Sequence, residues 1–253
     1  MVQVAKNWNA KLYPDLERAG GLPDALQAML TKLPGELKVE GLGAAGLVYA
    51  SVRRESRSSQ VMIAASHRAF HADFWDRGVQ YGSGWAKSLE DVAVAIHAFV
   101  VMRVDADTLK GTYRWVNVSE HALLHERGPE AFVERAWQDH LAWLASEPPT
   151  SAEGELLPLV RACMKRPRLR RLMPFTSLDR LCFSRTTGYP FTSECPPAFP
   201  LGGGRFGVAM SDAGLPRFEG DAEAIAARLE AELAPDCPDA VHGTADDEGY
   251  RAT

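Results

Sequence analysis

Long apolar runs, paired cysteines and an excess of basic charge are all missing from this chain. The most apolar stretch, Val92–Met102, is eleven residues long and contains His97, well short of the roughly 20 residues that span a bilayer. No membrane partner is therefore expected. Cys163, Cys182, Cys195 and Cys237 lie far apart with no C-x-x-C among them, so neither a zinc site nor a dithiol redox motif has its usual spacing. Reduced thiols in a cytoplasmic protein are the simplest account. The opening MVQVAKNWNAKLYPD agrees, since it lacks the apolar segment of a secretory signal. A net charge of -5 argues against a nucleic-acid surface spread over the protein. Walker A, EF-hand, haem and G-x-S-x-G motifs are absent as well, and the expectation is a protein that uses no cofactor and no metal.

What is present is an ordinary globular composition, 46% hydrophobic and 24% charged over 253 residues, enough for one large domain or two small ones. Pro23 opens a helical pattern carrying Leu26, Met29, Leu30 and Leu33 at helical spacing. The segments 47–54 and 60–66 read as an antiparallel pair joined by a turn over 55–59, with Phe70–Trp75 as a third strand. Ser88 and Asp91 form a capping box for a helix to about Arg103. Further helices are predicted from Pro129, over Glu153–Lys165 and over Ala222–Leu233. Strands are expected over Asp179–Arg185 and Arg205–Met210, with a last short one over Ala240–Gly243. The pattern predicts a single α+β domain over residues 1–253: an antiparallel sheet with strands from both ends of the chain, a helical middle over 88–173, and a polar, disordered tail over 244–253. SEPPTSAEG, between two central helices, is the one linker candidate.

Several motifs have bland readings that outweigh the sharp ones. Residues 41–46 match G-x-G-x-x-G, but an extended segment follows and no carboxylate stands where a ribose would need it, so a turn into a strand is the better reading. Gly82-Ser83-Gly84 also reads as a turn. His121 and His125 share a helical face without the H-E-x-x-H order, which favours a surface helix. His97 reads as a satisfied buried histidine. The run Lys165–Arg171 holds five cations in seven residues and reads as a solvated basic face, better suited to an anionic small molecule or a carrier protein than to nucleic acid.

The densest mixture of core-forming and ligand-grade groups is Arg168–Phe206, with two cysteines, five prolines and a glycine triplet. Its elements Pro174-Phe175-Thr176-Ser177, Phe183-Ser184, Tyr189-Pro190, Cys195-Pro196 and Gly202-Gly203-Gly204-Arg205 resemble a family of bacterial natural-product biosynthesis proteins built on a domain of unknown function. Upstream, Tyr13-Pro14-Asp15, Ala19-Gly20-Gly21-Leu22, Trp75 with Gly78-Val79, Ile96-His97-Ala98-Phe99 and Glu126-Arg127-Gly128-Pro129-Glu130 extend the likeness, with Phe99 where the family has Trp. The resemblance covers most of residues 10–243. It implies a protein of secondary metabolism that dehydrates a polyketide or tetramic-acid-like intermediate and closes a ring by Michael-type addition, without a cofactor.

Such chemistry needs a base for an acidic α-proton, an acid for the departing hydroxyl and donors for the enolate oxygen. By chemistry and placement, the catalytic candidates are His71 as acid or base, with Ser177 and Tyr189 as donors to oxygen. The substrate-binding candidates are Arg185 for an enolate, Thr176, and Trp75 and Trp115 for a hydrocarbon chain. His71, Asp73 and Trp75 alternate with Phe70, Ala72 and Phe74, giving one strand a polar-aromatic face. The segments 70–75 and 174–189 are expected to meet at one cavity. The rival class is a non-catalytic ligand-binding or carrier-protein accessory module.

Overall fold

The computed structural model describes residues 11–41, 48–149, 151–210 and 216–247. The fold is α+β, and its antiparallel strands come from both ends of the chain. Contacts gather into two compact units, residues 1–126 and 127–253, each with its own sheet.

In the first unit, α1 (Pro14–Ala19) and α2 (Leu22–Leu30) each carry Pro in the first turn, where no N–H is required. Gly20, at φ 98°, ends α1 in the left-handed conformation that glycine enters without steric cost. Five strands follow: β1 (Val39–Gly41), β2 (Tyr49–Arg54), β3 (Arg57–Ile63), β4 (Phe70–Asp76) and β5 (Val79–Ala86). Then come α3 (Leu89–Val100), α4 (Ala106–Thr112), β6 (Val116–Val118) and α5 (Glu120–Glu126). Strand order in the sheet is the chain order, an antiparallel meander. The turn expected over five residues is only Glu55-Ser56, so Arg57–Ser59 join β3. Gly82-Ser83-Gly84 is not a turn but the middle of β5. A Cβ on Gly84 would stand 1.9 Å from the Trp115 carbonyl oxygen, and one on Gly82 2.7 Å from that of Asn117; the glycines let β6 approach. The G-x-G-x-x-G stretch lies outside the described residues after Gly41.

Alternation puts Ala50, Val52, Val61, Phe70, Ala72, Phe74 and Val116 on the inner face, against Leu22 and Leu26 of α2 and Leu89, Val92, Ile96 and Phe99 of α3. Each fully buried Val, Leu or Phe contributes ~1.5–3 kcal/mol. Ser88 caps α3, its hydroxyl accepting the Asp91 N–H at 3.1 Å. His97 is the satisfied buried histidine expected, with Nε2 2.6 Å from the Pro34 carbonyl.

The second unit begins with α6 (Pro129–Ser146), α7 (Ala152–Glu155), α8 (Leu157–Met164) and α9 (Pro167–Arg170). It continues with β7 (Met173–Ser177), β8 (Arg180–Ser184), β9 (Ala198–Gly202), β10 (Arg205–Met210), β11 (Pro216–Gly220) and α10 (Ala222–Glu232). Its sheet is antiparallel in the order β11-β10-β9-β8-β7. Trp137 is fully buried beside Phe183, with ring centroids 5.9 Å apart, and Leu159, Leu181, Phe206 and Leu229 are buried in the same unit. The linker candidate SEPPTSAEG lies inside this unit, while the division falls after Glu126. The helical middle is thus shared, α3–α5 with the first sheet and α6–α9 with the second. The expected strand at 240–243 is reduced to one parallel bridge between Thr186 and Val241. Of the tail, residues 244–247 are described, and the Ala245 N–H donates to the Pro190 carbonyl at 2.7 Å. Among the described residues no helix is long and apolar enough to cross a membrane.

Candidate functional site

The outer face of the first sheet holds two buried groups, His71 Nδ1 and Trp75 Nε1, without a hydrogen-bond partner among the described residues. Because α2 and α3 pack on the inner face, the alternate residues of each strand point the other way. On β4 these are His71, Asp73 and Trp75. Register sets Met62 and Trp85 beside His71, Gln60 and Ser83 beside Asp73, and Ser58 and Gln80 beside Trp75. The His71 and Trp85 rings meet edge to face, centroids 5.0 Å apart, and Trp85 is 50% exposed.

Asp73 is the chemically distinctive member. Burial pushes its carboxyl above the ordinary aspartate range, while the Gln60 backbone N–H, donating to Oδ1 at 2.9 Å, and the nearby Trp75 indole and His71 ring act in the opposite sense. The indole N–H of Trp75 is buried close to this carboxylate without reaching hydrogen-bond geometry, and Nδ1 of His71 is buried with no hydrogen-bond partner among the described residues. No lysine or arginine pairs with Asp73 among the described residues. Tyr49 donates to the Gln60 side-chain oxygen, and burial, then the Asp73 charge, raise its phenol above its ordinary value. It stays a proton donor at neutral pH. A carboxyl raised above its ordinary value by burial, an imidazole and a phenol therefore share one sheet face.

Sequence reasoning placed His71 and Trp75 in the site but passed over Asp73, their neighbour in the same alternation. The signal available was the isolation of one acid in an otherwise aromatic row. Trp115 packs against the core beside Phe74, ring centroids 6.0 Å apart, so it lies on the face opposite Trp75. The two tryptophans do not line one apolar surface.

The remaining candidates belong to the second unit. Thr176 and Ser177 end β7 at a hairpin whose turn residues, Leu178 and Asp179, have φ of 49° and 59°; Ser177 is exposed. Tyr189 is 72% exposed, with its ring against Phe191, which stacks on Phe175 at 4.7 Å. Arg185 directs its Nε to Glu194 at 2.9 Å. Around these groups the hydroxyls are consumed internally. Ser184 Oγ donates to the Thr186 carbonyl (2.9 Å), contacts the Thr186 and Thr192 hydroxyls (both 3.0 Å), and accepts from the Thr186 (2.9 Å) and Thr192 (3.1 Å) N–H groups. This knot pins the loop between β8 and β9.

The basic run is a largely exposed face, as expected, and is also tied down by internal pairs. Lys165 reaches Glu223 at 2.7 Å, Arg170 reaches Glu134 at 3.1 Å and Arg171 reaches Asp239 at 2.9 Å. Arg166 also contacts Glu223, at 3.7 Å. Arg168 donates to the carbonyls of Glu230, Leu233 and Ala234 at the end of α10. The His121–His125 helix is likewise only partly a surface helix: His125 is buried, its ring 5.6 Å from that of Tyr81. Among the described residues no group of three or more His, Cys, Asp or Glu could hold a metal ion. The four thiols are free, and burial pushes that of Cys195 up to about 12.

Residues 131–244 match a family of unknown function, DUF6193. The match spans under half of the chain and falls within the second unit, so the face that carries His71 and Asp73 lies outside it. No curated protein and no solved structure matches the chain.

Proposed function

We propose that this protein is an acid–base enzyme of secondary metabolism, acting without a cofactor on a small natural-product intermediate at the outer face of its first sheet. One observation carries the reading: Asp73 is held half-buried, without an ion pair among the described residues, between an imidazole and an indole N–H. A carboxyl raised by burial beside a histidine is the kind of pair that general acid–base catalysis uses.

In the dehydration step, the Asp73 carboxylate removes the proton between a carbonyl and a β-carbon. The electron pair forms the alkene as the carbon–oxygen bond breaks, and protonated His71 supplies the proton with which the hydroxyl leaves as water. In the closure step, a hydroxyl or carbon nucleophile of the same molecule adds to the alkene, and its proton returns through the same pair. If the substrate carries a 1,3-dicarbonyl unit, it is already enolised, and the protein's share is chiefly positioning.

The test is to incubate the protein with the linear intermediate and follow loss of water and isomer formation by mass spectrometry and chromatography. Asp73→Asn is expected to slow turnover by ~10²–10⁴-fold, and His71→Gln by about 10²-fold. Undiminished turnover in Asp73→Asn would refute the assignment. The half-exposed Trp85 and the 38%-exposed Met62 favour a second reading, a ligand-binding module without chemistry. Tight binding of the intermediate with no turnover under any condition would select it.

A further inference from the structure

Two motifs that the acid–base reading leaves idle meet in the second unit: SEPPTSAEG, which joins α6 to α7, and Gly202-Gly203-Gly204-Arg205, which joins β9 to β10. Glu147 caps the C-terminus of α6, and Pro148-Pro149 after it cannot continue the helix. Gly154 lets the chain fold back, since a Cβ there would stand 2.0 Å from the Pro148 carbonyl oxygen. Opposite, Gly203 and Gly204 form a two-residue turn with φ of 61° and 75°. A Cβ on either would meet nothing within 4 Å, so their backbone stands uncovered. Between these two segments lies a cavity of about 340 Å³, at the small end of the roughly 300–1,000 Å³ that ligand pockets span.

The cavity has an apolar floor of Leu144, Leu157 and Phe206, and its charges are divided between the walls. The helical wall carries Glu147 and Glu155, whose half-buried side chains make no ion pair or hydrogen bond with another described residue. The hairpin wall carries Arg205, whose Nη2 reaches Glu219 at 3.3 Å. Both members of that pair are well exposed, at 60% and 47% of the side chain, and surface pairs contribute only ~0–1 kcal/mol. The guanidinium also has donors beyond those that one carboxylate takes, so it can hold a second acid beside Glu219. Acid on one wall and base on the other, over hydrocarbon, complement a small dipolar molecule with an apolar side chain. A ligand that is only an anion would meet Glu147 and Glu155 with the wrong sign. A ligand that is only a cation would leave Arg205 and the open Gly203-Gly204 backbone unused.

We infer that this cavity binds a free apolar α-amino acid, with its ammonium on Glu147 and Glu155, its carboxylate on Arg205 beside the Gly203-Gly204 backbone, and its side chain over Leu144, Leu157 and Phe206. The site falls within the residues that match the family model, 131–244, and does not rest on the acid–base reading of the first sheet.

The experiment titrates the full-length protein with L-leucine and L-phenylalanine in a calorimeter. Isoamylamine, 4-methylpentanoate and glycine are titrated beside them, lacking in turn the carboxylate, the ammonium and the side chain. Saturable binding of L-leucine or L-phenylalanine is expected, with each truncated analogue weaker by about tenfold or more. Glu155→Gln and Arg205→Gln should each weaken amino-acid binding roughly 5–20-fold. Glu90→Gln, which removes an exposed acid from α3 of the first unit, should leave it unchanged. Far-UV circular dichroism checks that these variants are folded. Lack of saturable binding by either amino acid overturns the inference. So does equal affinity for isoamylamine or 4-methylpentanoate, or indifference to both Glu155→Gln and Arg205→Gln. The two proposals fail separately: absence of amino-acid binding removes only this one, whereas amino-acid binding with Asp73→Asn fully active removes only the acid–base assignment.

Discussion

Two regions of this molecule are rich in hydroxyls, carboxylates and aromatics, and they use them in opposite ways. In the loop around Ser184, one hydroxyl joins two threonine hydroxyls, two backbone N–H groups and a carbonyl, and Arg185 is held by Glu194. On the outer face of the first sheet, Asp73 lacks an ion pair and the buried Nδ1 of His71 lacks a hydrogen-bond partner among the described residues. The difference teaches that residue type is a weak sign of function until its hydrogen bonds are counted. A satisfied network specifies a loop; unspent capacity on an ordered sheet is what a ligand can use.

The sharpest way to break this contrast is a crossed pair of substitutions. Asp73→Asn is expected to remove ~3–5 kcal/mol of transition-state stabilisation, the equivalent of the 10²–10⁴-fold loss above, while leaving the fold intact, since Asn Oδ1 still accepts the Gln60 N–H. Ser184→Ala should do the reverse. It strands the buried Thr186 N–H, for which Ser184 Oγ is the acceptor, and weakens the hold on Thr192. An orphaned buried donor costs ~1–3 kcal/mol, so urea denaturation should show a loss of about 2–3 kcal/mol with turnover per folded molecule unchanged. If Ser184→Ala abolishes turnover in fully folded protein, the knot is part of a site and the contrast is false.

Much of the fold was legible in the sequence because its signals are local. Ser88 does cap α3, accepting the Asp91 N–H, the Pro129 helix and the Ala222 helix form where expected, and the alternation in Phe70–Trp75 matches the burial of β4. The misreadings share a cause. The glycines of β5 looked like turn residues because the reason for them, the approach of β6, is a tertiary fact. β7 and β9 carry Pro174 and Pro200, a residue that disfavours strand interiors; β7 is an edge strand, and β9 meets β8 only at Ala198. The cross-strand neighbours of Asp73, Gln60 and Ser83, were invisible for a different reason. Cross-strand register depends on turn length, and a turn drawn at five residues rather than two moves every partner. The site residues within one strand were readable; those that join them from neighbouring strands were not.

A smaller effect sharpens the account of Asp73 through pH. Its folded-state value is raised above 3.8 by burial, so the folded chain binds this proton more tightly than the unfolded chain. Below the unfolded value both states are protonated and there is no penalty. As pH rises from 3.8 through the raised value, the native state loses stability relative to the unfolded one. Asp73→Asn removes that loss. Thermal melts should therefore show the variant gaining on the wild type at neutral pH, with the gap closing on acidification toward pH ~4. A gap that widens on acidification would mean the carboxylate is stabilised in the fold, and the proposed general base would lose its physical basis.

The smallest expected effect concerns the cations of Lys165–Arg171, where the comparison can be made within one segment. Lys165 and Glu223 are both well exposed, at 69% and 54% of the side chain, and surface pairs of this kind contribute ~0–1 kcal/mol. Lys165→Ala should therefore leave the urea midpoint almost unmoved. Arg168 differs because its guanidinium meets the carbonyls of Glu230, Leu233 and Ala234, which α10 leaves without helical partners; its loss should cost about 1–2 kcal/mol. The same two variants address a docking role. If an acidic carrier protein binds this run, Lys165→Ala weakens that binding measurably and high salt weakens it further. If the cations serve chiefly to tie the run to α10 and α6, carrier affinity is the same in both variants and only Arg168→Ala alters stability. Carrier binding that falls in Lys165→Ala with no change in stability would show that the exposed cations dock a partner in addition to making their internal pairs.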